Sequence, residues 1–150
     1  MSETEYLIGT SGWSYDHWKN LFYPPDLPHN KWISYYAKHL PTVELNMSFY
    51  RTPFNNMVRS WLKRTPENFV FTLKASRYIT HIKRLKDICE SLEKTRQLVK
   101  RFSPKAQCVL YQLPPDFKKT PETRHRLTAF LALLSDDSDQ VIEFRHNSWW

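Results

Sequence analysis

The chain has 150 residues, 41% of them hydrophobic and 15% aromatic, which suits one folded domain and excludes a disordered or collagen-like chain. It has only two glycines, both in the first dozen residues, so glycine-rich phosphate loops are excluded as well. A formal charge of +7 admits nucleic acid or another polyanion as a partner without requiring one.

Along the chain, Tyr6 to Thr10 (YLIGT) is a short apolar run closed by Ser11-Gly12, which predicts a first strand. Pro24, Pro25 and Pro28 then punctuate an aromatic-rich loop. Trp32, Ile33, Tyr36, Ala37 and Leu40 fall at helical spacing, with Asn30 as the expected N-cap and Pro41 as the stop. In TVELNMSFY, Val43, Leu45 and Met47 alternate with Glu44, Asn46 and Ser48, which predicts a second strand. A short helix is expected over Asn55 to Arg64, with Met57, Val58, Trp61 and Leu62 on one side. FVFTLKAS supplies a third strand, Phe69 to Ala75. A long amphipathic helix is expected from about Lys83 to Arg101, its apolar positions including Leu85, Ile88, Leu92 and Leu98. QCVLYQLPP is a fourth strand, and Thr120-Pro121-Glu122 opens a fourth long helix that runs to Leu134. QVIEF is the fifth strand.

Strands alternating with helices predict an α/β fold with a parallel sheet and right-handed crossovers. Two architectures fit: an open doubly wound sheet, or the first part of a (β/α)8 barrel. Both gather their chemistry at the carboxyl ends of the strands. Cys89 and Cys108 are the only cysteines and show no metal or redox spacing, so reduced thiols are expected. No run reaches the ~18 apolar residues of a membrane span. The acidic start, MSETEYLIGT, is unlike a signal peptide, which predicts a soluble, cytoplasmic protein.

The strand ends carry the chemistry. The first ends in Thr10-Ser11-Gly12-Trp13, and the second carries Glu44 and Asn46 before Phe49-Tyr50-Arg51. The third ends with Lys74 and Ser76, the fourth with Gln112, and the fifth carries Glu143, Arg145 and His146. A strand buried on both faces should read as a continuous apolar run. Polar residues at five successive ends therefore predict a ligand site, although Glu44 with Lys74, or Glu143 with Arg145, could equally be structural ion pairs.

Several chemistries fit these residues. Glu44 and Glu143 could act as acid and base on a glycosidic bond. Lys74 could form a Schiff base, or join Arg51, Arg145 and His81 in an anion clamp. No metal site is expected, because the histidines are scattered and no HxH or HExxH occurs. Among the loop aromatics, Trp13 and Tyr50 are the expected stacking residues for a base or sugar ring. The basic runs HIKRLKD and KTRQLVKRFSPK read as the solvated outer face of the long helix.

IGTSGWSYDHWKNLFYP, TVELNMSFYRTP, TPENFVFTLKAS, VLYQLPPDF and EFRHNSWW, in this order, resemble the YecE-like family (domain of unknown function seventy-two). Tyr111, where Phe is usual, and Asn147, where Pro is common, are the departures. The resemblance implies a TIM-barrel fold, of the type also seen in apurinic endonucleases and sugar isomerases, and by that analogy alone a DNA-related role. It assigns no catalytic role to any residue. It also implies about a hundred further residues in a barrel of ~250. Residues 1–150 are thus expected to be the N-terminal portion of a single barrel domain, truncated and prone to self-association along its open edges.

Three functional readings stand. The most concrete is a hydrolase or lyase on a phosphorylated or sugar-containing substrate, with Glu44, Glu143 and Lys74 as catalytic candidates. Trp13, Asn46, Tyr50, Arg51, His81, Gln112, Arg145 and His146 are its substrate-binding candidates. The others are a nucleic-acid-binding module without catalysis and an inactive truncated fragment. No cofactor is named by the residues.

Overall fold

The computed structural model describes residues 5–136 and 138–150. Five strands form one parallel sheet: β1 (Gly9–Ser11), β2 (Thr42–Leu45), β3 (Val70–Lys74), β4 (Ala106–Gln112) and β5 (Asp139–Glu143). Between them run α1 (Trp32–Tyr36), a short α2 (Met47–Tyr50), α3 (Asn55–Arg64), α4 (Cys89–Phe102) and α5 (Pro121–Leu131). The spatial order of the strands is the chain order. That decides between the two architectures. A doubly wound sheet reverses its order at a switch point. A succession that never reverses, with crossovers of one hand, keeps the helices on one face, as in a (β/α)8 barrel.

Burial along the strands follows from this. Val43, Leu45, Phe71, Leu73, Val109 and Tyr111 point to the helix side and are at most 2% exposed. Residues of the opposite parity, Glu44, Thr72, Lys74, Cys108 and Leu110, are only half-buried, and Val141 is exposed. The expectation of continuous apolar strands therefore gives way to alternation, because one face is covered and the other open. Both glycines serve β1. A Cβ on Gly9 would meet the Thr42 carbonyl oxygen at 2.2 Å, and Gly12 turns out of the strand at φ +86°.

Several boundaries differ from expectation. The apolar stretch before Gly9 does not extend β1: Tyr6 and Ile8 are 84% and 72% exposed. The ladder starts at Gly9 opposite Thr42, just after Pro41, which has no N–H to donate. Asn30 is not a helix cap, since it lies inside a 3-10 turn (His29–Lys31) that leads into α1. β2 ends at Leu45, not Tyr50. There Ser48 is buried, its hydroxyl 2.8 Å from the Leu45 carbonyl and 2.6 Å from the Lys74 carbonyl, and the chain coils into α2 around it.

The long helix begins at Cys89 rather than Lys83. Before it lie a wide π-type turn (Tyr78–Ile82) and left-handed residues Arg84, Leu85 and Asp87. Leu85 and Ile88 are buried all the same, from a loop instead of a helix face. Burying them stabilises by about 1.5–3 kcal/mol each, which offsets about 1–2 kcal/mol for each left-handed residue. Arg84 adds a fork to both Asp116 carboxylate oxygens, each at 3.0 Å. The opening of α5 matches expectation: Pro121 is its first residue, and Thr120 and Thr123 exchange hydroxyl and backbone hydrogen bonds. The helix ends at Leu131, three residues short of Leu134.

Tyr36, fully buried, pins α1 to the sheet. Its hydroxyl accepts from the Thr10 amide and donates to the Thr42 carbonyl, both at 2.9 Å. Tyr36→Phe leaves these buried backbone groups unsatisfied and is expected to cost about 1–3 kcal/mol in chemical denaturation. An unchanged midpoint and slope would show that the pin is dispensable.

Candidate functional site

Side chains alternate along a strand, and parallel register places matched residues on the same face. Ser11 is opposite Glu44, Glu44 opposite Thr72, and Gln112 opposite Glu143. Lys74 lies two residues beyond Thr72. Ser11, Glu44, Lys74, Gln112 and Glu143 therefore share the open face at the carboxyl ends of the strands.

Two ion pairs organise them. Lys74 Nζ lies 3.2 Å from Glu44 Oε1, with the side chains 12% and 21% exposed. The same oxygen accepts from Ser11 Oγ at 2.7 Å, and Ser11 accepts from Asn46 Nδ2 at 2.8 Å. The Lys74 ammonium also sits 5.5 Å from the centre of the Phe49 ring, a cation–π distance. In the second pair, Arg145 Nε donates to Glu143 Oε1 at 2.5 Å, and Gln112 Nε2 donates to Glu143 Oε2 at 2.8 Å. Both structural ion pairs anticipated from the sequence are thus present, at the strand ends where a ligand site was the competing expectation.

Electrostatics assign the protonation states. Partial burial pushes the Glu143 carboxyl up, but the hydrogen bonds from Gln112 and Arg145, with the charges of Arg145 and Lys74, outweigh it. The result lies below the ordinary glutamate value, so Glu143 is a carboxylate near neutral pH and fits a base better than an acid. His81 is lowered as well, with burial the first cause. Burial lowers its proton affinity, Arg77, Arg145 and Lys74 lower it further, and Asp116 opposes them. The imidazole is neutral near pH 7, with Nδ1 2.9 Å from Thr80 Oγ1 and its ring 5.1 Å from Phe49. A neutral imidazole near three cations can accept a proton or orient a polar ligand.

The remaining candidates are spread more widely. Gln112 touches one ion pair directly, and Asn46 reaches the other through Ser11. Trp13 lies on the other side of the end of β2, edge-on to Trp61 with ring centres 5.2 Å apart. Tyr50 is 78% exposed and meets Phe49 edge-on, so it does not share Trp13's setting. Arg51 is exposed at the end of α2. His146 caps the closing 3-10 turn (Asn147–Trp149), where its Nδ1 accepts from the Ser148 amide at 3.1 Å. Sequence reasoning missed Phe49 as the platform for Lys74, Ser11 as the link from Asn46 to Glu44, and Arg77 as a charge beside His81. Only Ser11, at a strand end, carried a signal for its place. Among the described residues, no three histidine, cysteine or acidic side chains converge as a metal site. Both cysteines are free. No helix among these residues is long and apolar enough to cross a membrane.

A family model described as "Protein of unknown function DUF72" matches residues 7–150. The chain is 32% identical to UPF0759 protein YunF of Bacillus subtilis (strain 168), covering 95% of this chain and 51% of that protein. It is 29% identical to UPF0759 protein YecE of Escherichia coli (strain K12), covering 93% of this chain and 48% of that protein. The crystal structure of a DUF72 family protein from Thermotoga maritima superposes with a TM-score of 0.84 at 30% identity, over 95% of this chain and 56% of that one. A DUF72 family protein from Enterococcus faecalis superposes at 0.63 with 25% identity, over 93% of this chain and 50% of that one. The chain spans about half the length of the curated relatives it matches.

The charges around His81 can be read in solution. Its NMR titration midpoint is expected below the ordinary value of 6.5, and to move up in Arg145→Gln and in Lys74→Gln. Since the unfolded chain binds this proton more readily, His81 makes stability fall as pH drops through the ordinary histidine value towards the lowered one. A midpoint that neither substitution moves would mean that these cations do not face the ring.

Proposed function

The chain belongs to the DUF72 family, and we propose that its strand-end site takes a small anionic substrate, phosphorylated or sugar-containing, for a hydrolase or lyase reaction. Lys74 and Arg145 hold the anionic group, and Glu143 is the base. One observation carries this reading: two cation–carboxylate pairs from the ends of three strands share an open sheet face, and both cations act on one neutral His81. Each cation is preoriented by its carboxylate, which lowers the entropy lost when an anion arrives. An anion that draws Arg145 away also removes a hydrogen bond that keeps Glu143 weakly basic, so binding would raise its basicity.

Of the two reaction classes, the lyase has more support. Glycosidic hydrolysis by paired carboxyls needs one of them protonated. Here Glu44 accepts from Lys74 and Ser11, and Glu143 from Arg145 and Gln112. A carboxylate base facing an ammonium suits proton removal beside a carbonyl, the ammonium stabilising the oxygen charge that develops. A Schiff base at Lys74 has less support, because the amine is engaged by Glu44 rather than isolated among apolar groups. Nucleic-acid binding is the alternative partner class. Several surface cations are already engaged by acids on their own helices, Lys94 by Glu90 and Arg126 by Glu122 among them.

Calorimetric titration with ribose 5-phosphate at low ionic strength tests the reading. Lys74→Ala and Arg145→Ala are each expected to weaken binding about 10- to 100-fold, the scale of one charge-assisted hydrogen bond. Affinities equal to the parent's in both variants would refute the anion site. A salt slope near one is expected for a single phosphate, whereas a slope of several, measured with single-stranded DNA, would favour the nucleic-acid reading.

A second proposal concerns copies of the chain. Among the described residues β1 and β5 each pair on one side only, and Val141 on β5 is exposed, so association of these residues along the two edges is expected. Sedimentation should show concentration-dependent oligomers, and a single monomer boundary at all concentrations would rule this out.

A further inference from the structure

Directly beyond the polar site, on the helix side of the end of β2, a cleft of about 350 Å3 opens between the Gly12–Tyr15 loop, α1 and α3. Its walls are largely apolar: Trp13 and Trp61 stand nearly perpendicular, at 85°, with Met47, Met57 and Leu45 around them. Neither the anion site nor the core explains a cleft of this size lined by half-buried tryptophans and methionines. It is at the low end of the ~300–1,000 Å3 of ligand pockets, enough for one ring system.

Asn46 joins the two places. It lines the cleft, and its amide donates to Ser11 Oγ, which in turn donates to Glu44 beside Lys74. Gly12, also in the lining, follows Ser11 directly. A ligand whose anionic group is held by Lys74 can therefore extend past Asn46 into the cleft. Most polar groups of the lining are used already: Ser14 is 2.8 Å from the His29 ring, the Tyr15 hydroxyl donates to the Ser11 carbonyl, Asn46 donates to Ser11, and the Arg64 guanidinium donates to the Asn30 carbonyl. A hydroxyl-covered sugar would lose more hydrogen bonds with water than it could regain here. A planar aromatic ring would not, and tryptophan faces and methionine sulfurs both favour it.

We propose that the cleft is a subsite for a planar heteroaromatic ring, so that the substrate class is a ring-bearing anion, for which adenosine 5′-monophosphate is a binding probe. The inference rests on the anion reading above for the position of the phosphate, and on the cleft alone for the ring. Three probes separate the two: adenosine 5′-monophosphate, ribose 5-phosphate and adenosine, followed by tryptophan fluorescence and calorimetry. The monophosphate is expected to bind at least tenfold tighter than ribose 5-phosphate. Ser60→Phe, which fills the cleft from α3, should abolish that difference without changing ribose 5-phosphate binding. Met57→Ala, which enlarges the cleft, should reduce the difference and serves if Ser60→Phe does not fold. Lys74→Ala should weaken both phosphates and leave adenosine unchanged. Equal affinity for the two phosphates, or a difference that survives both cleft variants, would overturn the ring subsite while the anion site stands. Adenosine binding as tightly as the monophosphate, unaffected by Lys74→Ala, would overturn the anion site while the ring subsite stands. No binding of any probe would overturn both.

Discussion

A parallel sheet covered by helices on one side alone has to present two different surfaces, and most of this molecule follows from that constraint. The covered face can be wholly apolar, so Val43, Leu45, Phe71, Leu73, Val109 and Tyr111 bury themselves there. The open face can carry charge at modest cost, because water still reaches it and each ion can find a partner. Lys74 and Glu44 meet on that face, as do Arg145 and Glu143. Sequential strand order is what keeps the two surfaces from mixing.

The two pairs differ in what holds them. Lys74 is enclosed, with Glu44 on one side and the Phe49 ring on another, and Ser48 ties the neighbouring backbone carbonyls together beneath it. Arg145 is nearly half exposed and comes from the chain after β5, so it can reorient at lower cost. An enclosed ammonium and a more exposed guanidinium would suit the proposed anion site, the one setting position and the other free to turn towards a ligand. The aromatic cleft extends the same site in the opposite chemical sense, with Asn46 as the link between a charged end and an apolar end.

Residues that look alike in the chain end up unlike in space. Trp13 and Tyr50 both follow a strand within an aromatic loop, yet Trp13 packs into the cleft and Tyr50 stands in solvent. Periodicity identified α3 to the residue, because its apolar face is continuous and Thr65-Pro66 ends it. The same method misplaced the start of α4. Leu85 and Ile88 have helical spacing and are buried, but they sit in a loop with left-handed Arg84, Leu85 and Asp87, tied down by the Arg84–Asp116 fork 32 residues apart in sequence. Apolar spacing reports that a side chain is buried, and says little about the backbone that carries it there.

The sequence by itself determined the parallel α/β fold, the family, the parity that puts Glu44 on one face of its strand, and the polar residues at every strand end. Those are local properties, set by alternation, turn residues and motif order. Tertiary structure alone decided that both anticipated ion pairs form on one open face, that burial and nearby cations lower the proton affinity of His81, that His146 serves a turn, and that Trp13 and Trp61 frame a cleft. Most of these depend on groups about 30 or more residues apart, while the Glu143–Arg145 and His146–Ser148 contacts, two residues apart, depend on how the chain turns out of β5. Coulomb and hydrogen-bond energies depend on distances in space, and spacing along the chain does not encode those distances.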